Sequence, residues 1–230
     1  MRLLISWVRD FVDVKASAED IAETLALRGF EVASLENLGG NDAVIDFEVT
    51  ANRPDCLSVI GFAREIGTVY DLPVRLPSTD PKAKIGLAKV ESGESDRLKV
   101  SLEDAELCPR YAAAVATVSA TTTPAWMTSR LQAAGVRPIS PFVDITNYVL
   151  MELGHPMHAF DLDTLNEQTL RIRRASSGEP ITTLDGVERK LDADMLAIAD
   201  AKEAQAVAGV MGGRRSEVSE ETKVVAIESA

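Results

Sequence analysis

The 230 residues carry 36 Asp and Glu against 24 Lys and Arg, a net charge of −12, with 46% hydrophobic residues. A chain of this size buries a real core, in one large domain or two modest ones, and two are expected here. The acidity argues against generic affinity for a phosphate backbone, which rests on clustered Lys and Arg, so a nucleic-acid partner would be held locally or by another chain.

No run approaches the roughly eighteen apolar residues a membrane span needs, and the N-terminus lacks the layout of a secretion signal. The chain is therefore expected to be soluble and cytoplasmic, with no membrane contact. Cys56 and Cys108 are too few and too far apart for a disulfide framework or a thiolate metal site, and are expected to be small buried residues.

After an opening stretch from Leu3 to Val14, Ser17 is placed to cap a helix, with Asp20 at the capping-box position and Gly29 at the stop. From Ala43 to Thr50 the residues alternate, Ile45, Phe47 and Val49 against Asp46, Glu48 and Thr50, as in a half-buried strand. Asn52-Arg-Pro-Asp55 then turns the chain into a helix from about Ser58 to Tyr70. These elements form a helix-and-strand domain over 1–76. Residues 77–97 are rich in Pro, Ser, Gly and charged residues apart from the stretch Ile85 to Val90, and read as a linker.

The second domain, 98–230, has a helix signposted by Thr123 as N-cap, Pro124 at the first position, Gly135 at the stop and Pro138 beyond. Ser140 and Pro141 repeat that signature for the next helix. There Phe142, Thr146, Val149 and Leu153 share one face, and Val143, Asn147, Leu150 and Met151 the next. Thr146 and Asn147 interrupt apolar stripes, and buried polar groups are costly unless hydrogen-bonded, so a polar pocket lined by this helix is expected, with His158 facing it. After Asp161 the chain reads as short strands, with a hairpin at Asp185-Gly186, a turn near Asp200 to Glu203 and an apolar run from Thr222 to Ile227. The fold class is α+β, two mixed helix-and-sheet domains.

His155, His158 and Asp161, spaced three apart, invite a metal reading. Pro156 disfavours helical geometry at His155 and two histidines leave the shell short, so no metal is expected and His158 reads as a hydrogen-bonding or acid–base group. No Gly-x-Ser-x-Gly elbow or Walker-type loop is present, so a serine hydrolase or P-loop enzyme has no sequence support. The glycine-rich Ala208-Gly-Val-Met-Gly-Gly213 reads either as a hairpin turn or as a place where Gly209 lets a ligand approach main-chain amides. Glu228, at the end of an apolar run, is equally a solvated strand end or a pocket acceptor. Arg171, Arg173 and Arg174 form the best basic cluster, for which a solvated strand edge is the plainer reading than phosphate contact.

Arg137-Pro-Ile139, Val143-Asp-Ile-Thr-Asn-Tyr-Val149, the run from Gly154 through Pro-Met-His-Ala-Phe to Asp161, Gly209-Val-Met-Gly-Gly213 and Ile227-Glu-Ser-Ala230 resemble the editing domain of the bacterial phenylalanyl-tRNA synthetase beta subunit. Ser6-Trp-Val-Arg-Asp-Phe-Val-Asp13 and Glu48-Val-Thr-Ala-Asn-Arg-Pro-Asp-Cys-Leu-Ser58 resemble that subunit's first domain. The resemblance implies hydrolysis of tyrosine wrongly esterified to phenylalanine tRNA, with Thr146, Asn147 and His158 as catalytic water-holders or donors and Gly209 and Glu228 binding substrate. An aminoacyl ester is already activated, so such a site has chiefly to position water and stabilise the oxyanion. The implied partners are the synthetase alpha subunit, which would hold ATP and magnesium, and phenylalanine tRNA; no cofactor is implied for this chain. Alternatives are a non-catalytic module for subunit assembly or tRNA orientation, and a free-standing deacylase. The chain departs from the family in passing from Gly40 to Ala43 without the inserted tRNA-binding OB domain, in Ser140-Pro-Phe142, and in His155 where glutamine is common. An editing domain cut short after Ala230 is also expected.

Overall fold

Packing divides the chain into a first unit, Met1–Asp80 with Thr122–His155, and a second, Pro81–Thr121 with Pro156–Ala230. A computed structural model describes residues 1–77, 92–94, 96–118 and 122–230.

The first unit is built on β1 (Arg2–Leu4), α1 (Ile5–Val8), α2 (Ala18–Ala26), β2 (Glu31–Gly39), β3 (Asp42–Glu48) and α3 (Val59–Tyr70). β3 lies between β1 and β2 and is antiparallel to both. Its alternation holds: Ile45 and Phe47 are buried while Asp46 and Glu48 lie nearer solvent. The sequence pattern does not announce β2. Only Val32 and Leu35 are drawn toward the core, and irregularities after Val32 and Asn37 break the two-residue period.

The Ser17 hydroxyl accepts the Asp20 N–H at 3.1 Å, as the capping pattern requires. Helix α2 ends at Ala26, ahead of Gly29, whose φ of +94° closes the turn that lets Phe30 N–H reach the Leu25 carbonyl. Ser58 caps α3 by accepting the Gly61 N–H at 3.1 Å. Trp7, Phe47 and Phe62 fill the centre of this unit, and the last two stack at 4.5 Å.

α4 (Ala125–Ala133) and α5 (Pro141–Leu153) complete that core. Leu131 is fully buried, the Trp7 and Tyr148 rings stack at 4.6 Å, and Trp7 Nε1 donates to Glu152 at 2.8 Å. Arg130 donates to the Tyr148 hydroxyl at 2.8 Å and pairs with Asp10 at 2.6 Å. The two helices thus pack with the N-terminal residues rather than with the strands that adjoin them in sequence, unlike the contiguous division at residue 98. The cap at α4 also differs from expectation: Pro124 occupies the cap position and the Thr123 hydroxyl is instead donated to the Asp144 carboxylate. Asp144 is buried and its other oxygen accepts the Ile139 N–H at 2.8 Å, bracing the connection between the helices. α5 starts at Pro141 and stops at Gly154, φ +75°, as the sequence predicts.

Apart from three single-turn 3-10 helices, Leu162–Thr164, Asn166–Gln168 and Arg214–Ser216, the regular elements among the described residues of the second unit are strands: β4 (Ser92–Glu94), β5 (Lys99–Leu102), β6 (Ala112–Thr117), β7 (His158–Asp161), β8 (Thr169–Arg174), β9 (Glu179–Thr182), β10 (Glu188–Leu191), β11 (Leu196–Ala199), β12 (Ala204–Val207), β13 (Met211–Gly212) and β14 (Val224–Ser229). They form a six-stranded sheet in the order β13-β12-β11-β8-β5-β4, a three-stranded sheet β6-β14-β7, and the β9–β10 hairpin, whose connection bends at Gly186. β5 and β8 run parallel; the other strand pairs in this unit are antiparallel. Part of the expected linker is strand, since β4 pairs with β5, whereas Ile85 to Val90 lies outside the described residues. Phe160, Leu162, Leu170, Ile172, Ile198 and Ala226 form the main core here, with side chains from both larger sheets.

Candidate functional site

Period-two alternation on β14 carries Val224 and Ala226 into the core of the second unit, and Glu228 follows them on the same row. On β7 the corresponding row begins with His158 and continues with Phe160. The antiparallel register sets Glu228 directly opposite His158, and Ala226 opposite Phe160. Opposed residues of this kind have Cβ atoms about 5 Å apart on one face. Two ionisable side chains thereby stand together at the end of an otherwise apolar row.

They open on a cavity of about 260 Å³ whose other walls come from Ile198, Ala206 and the loop from Ala208 to Gly212. His158 Nε2 and Glu228 Oε2 are both buried and have no hydrogen-bond partner among the described residues. Buried polar atoms are nearly always paired, so two residues with orphaned atoms lining one cavity mark it as a place for a polar ligand. Glu228 is 8% exposed. Burial pushes its carboxyl up to about 7, against an opposing pull from the Tyr111 hydroxyl. Burial also lowers the pKa of His158, favouring the neutral imidazole, whose ring meets Phe160 edge-on at 4.6 Å.

Tyr111 escapes sequence reasoning. It lies two residues before Ala113, which sits opposite Glu228 across the β14–β6 pairing. Its side chain is buried and its hydroxyl unpaired, and its pKa is raised well above the ordinary value, first by burial and then by the charge of Glu228. The only signal in the sequence is a tyrosine entering a run of small residues, Ala112 to Ala114.

The glycine-rich loop divides its work differently from expectation. Gly209 has φ +70° and open space where a side chain would go, so its immediate role is the turn between β12 and β13. Gly212 is the glycine of close approach. A Cβ there would lie 2.6 Å from His158 Nε2, and closer still to Cε1, so the imidazole packs directly on the Gly212 backbone.

Thr146 and Asn147 lie on α5 in the first unit, half-buried. The Thr146 hydroxyl donates to the Val143 carbonyl at 2.9 Å, so its interruption of the apolar stripe is satisfied within the helix. The fully buried polar residue of α5 is Asp144, which sequence reading passed over. Asp161 accepts the Thr222 hydroxyl at 2.6 Å and the Asp163 N–H at 3.1 Å, both structural uses. Among the described residues, Asp55, Cys56 and Glu65 converge closely enough to surround a cation, and Arg53 already fills that role, donating to Asp55 at 2.9 Å and Glu65 at 2.6 Å. Each arginine of the basic cluster is likewise engaged: Arg171 with Glu103 at 2.7 Å, Arg173 with Glu179 at 2.7 Å and Arg174 with Asp104 at 2.7 Å. These ion pairs account for them, although β8 lies inside its sheet between β11 and β5 and not at the expected strand edge.

Residues 107–230 match the B3/4 domain family model. The phenylalanine–tRNA ligase beta subunit of Moorella thermoacetica is 48% identical over 200 residues, an alignment covering 85% of this chain and 24% of the relative. That of Geobacter sulfurreducens is 46% identical over 202 residues, covering 86% and 24%. The chain spans about a quarter of the length of the curated relatives it matches. An N-terminal fragment of the phenylalanyl-tRNA synthetase beta subunit from Pyrococcus horikoshii aligns with 99% of this chain and 67% of that chain, at a TM-score of 0.46 and 15% identity.

Proposed function

The chain belongs to the B3/4 domain family, and from that premise we propose that it is a portion of a phenylalanine–tRNA ligase beta subunit whose second unit hydrolyses tyrosine wrongly esterified to phenylalanine tRNA. The observation that carries this reading is the buried Glu228 carboxyl, set opposite His158 on adjacent strands and lining the same cavity. Tyrosine and phenylalanine differ by one hydroxyl. A tyrosyl phenol entering the cavity gives the cavity-side oxygen of Glu228 a donor, whereas a phenylalanyl ring leaves that oxygen unpaired, the arrangement that discriminates strongly between such analogues.

The chemistry asks little more. Water adds to the ester carbonyl, the resulting oxyanion collapses, and the terminal ribose oxygen of the tRNA leaves as a hydroxyl, with tyrosine released. A neutral imidazole offers both an acceptor and a donor for holding that water, and the low pKa of His158 keeps it neutral near pH 7. The reading rests on His158 and Glu228, with the Gly209 to Gly212 loop as the wall against which the substrate backbone lies. Ligation is assigned to an alpha-subunit partner holding ATP and magnesium, with phenylalanine tRNA as the shared substrate and the cytoplasm as the compartment.

Deacylation of tyrosyl- and phenylalanyl-esterified phenylalanine tRNA, with and without the alpha subunit, tests this directly. Faster loss of the tyrosyl ester is expected. Equal loss of both esters, or loss of neither in either condition, overturns it.

A further inference from the structure

We propose that Tyr111 is a positioning residue for Glu228: its hydroxyl holds one carboxylate oxygen from inside the core, so that the other is presented to the cavity as the acceptor for a phenolic ligand. The inference deepens the function proposed above and rests on it for the identity of the ligand.

The placement comes from the sheet. Glu228 is flanked on β14 by β7 on one side and β6 on the other, with His158 and Ala113 as its opposed residues. Ala113 has almost no side chain, and Tyr111, two residues back along the same face, supplies the bulk beside it. The Tyr111 hydroxyl and Glu228 Oε2 are each buried and each without a partner. A phenol has a donor to give and a carboxylate only acceptors, so the two orphans are complementary to one another. Tyr111 does not line the cavity, which fits support from behind rather than contact with a ligand.

Among the described residues, the ionisable groups around the carboxyl are few. Tyr111 approaches from the β6 side, His158 from β7, and the buried Cys108 thiol, which bonds the Arg110 carbonyl at 3.2 Å, lies within electrostatic reach. Of these, Tyr111 is the group that favours the charged carboxylate, and a charged carboxylate is the stronger acceptor. Without the phenol, burial alone would govern the proton, and the carboxyl would stay protonated to higher pH.

The test is Tyr111→Phe, which keeps the ring and removes the hydroxyl. The Glu228 carboxyl is followed by carbon NMR of the selectively labelled protein across a pH series, and the tyrosyl-over-phenylalanyl deacylation ratio is measured in parallel. The Glu228 midpoint is expected to rise in the variant and the ratio to fall about tenfold, the scale of one hydrogen bond to a charged group. An unchanged midpoint overturns the proposal, because a residue that only packs would leave it in place. The titration does not depend on hydrolysis, so absence of deacylation in the parent protein would refute the function while leaving the role of Tyr111 to be decided by the midpoint. As a reciprocal measurement, Glu228→Gln should lower the pH at which the Tyr111 phenol ionises, read from its ultraviolet absorbance. No change there also counts against the pairing, and it decides the matter if Tyr111→Phe does not fold.

Discussion

Glu228→Gln should stabilise the protein above neutral pH and leave it nearly unchanged in acid. In the folded chain the carboxyl is pushed up to about 7 from an ordinary 4.5. Between those values the folded state keeps a proton that the unfolded chain has lost. The stability associated with the raised pKa is therefore full below pH 4.5, declines as pH rises toward about 7, and stays lost beyond. The gap from 4.5 to about 7, at ~1.4 kcal/mol for each tenfold change in proton affinity, gives a penalty of about 3.5 kcal/mol, a large share of a typical folding free energy. Glutamine has no charge to bury and is free of that penalty. Urea unfolding of both proteins at several pH values from about 4.5 to about 8 at constant ionic strength measures the gap. His158 works in the opposite sense, since its lowered pKa costs stability as pH falls below 6.5, but it is common to both proteins and cancels in the difference. A gap that stays constant across the pH range would refute the buried-carboxylate argument.

Two further substitutions separate the roles assigned above. Gly212→Ala places a methyl group on the His158 ring, should cost about 1–3 kcal/mol through overpacking, and should shift the His158 ring resonances with loss of deacylation; unshifted resonances would dismiss the close-packing account. Asp144→Ala leaves the Ile139 N–H and the Thr123 hydroxyl without their acceptor and should lower stability by about 2–4 kcal/mol in urea unfolding, whereas a loss under about 0.5 kcal/mol would show that water replaces the carboxylate readily.

The local signals in the sequence were legible where one residue decides one geometry. Ser17 and Ser58 cap helices, Gly154 stops one, and the alternation through Ile45 and Phe47 marks a strand. His158 stands out in the sequence as a hydrogen-bonding or acid–base candidate and Glu228 as a carboxylate ending an apolar run, and the structure adds their opposition across two strands far apart in sequence. Tyr111 and Gly212 stayed hidden because their importance lies in what they touch through tertiary packing, and neither breaks a local pattern. Thr146 did break one, and its hydroxyl donates to a carbonyl three residues back, a local bond that periodicity does not reveal. The grouping of α4 and α5 with the N-terminal residues was likewise invisible, since Trp7, Asp10 and Arg130 meet only through folding.

The position of β14 bears on the order in which this protein can fold. It is the middle strand of its sheet, so β6 and β7 have no partner in that sheet until it is in place. More than a hundred residues separate Ala112 from Ser229, which pair across β6 and β14. Contacts so distant along the chain are slow to form because loop closure precedes any gain from them. On the ribosome, β6 and β7 wait as exposed edges while the intervening strands emerge, a state prone to pairing with the wrong neighbour. Glu228 travels on β14, so it meets His158 in the same docking event that joins β6 to β7, and the cavity the two residues line is assembled only then.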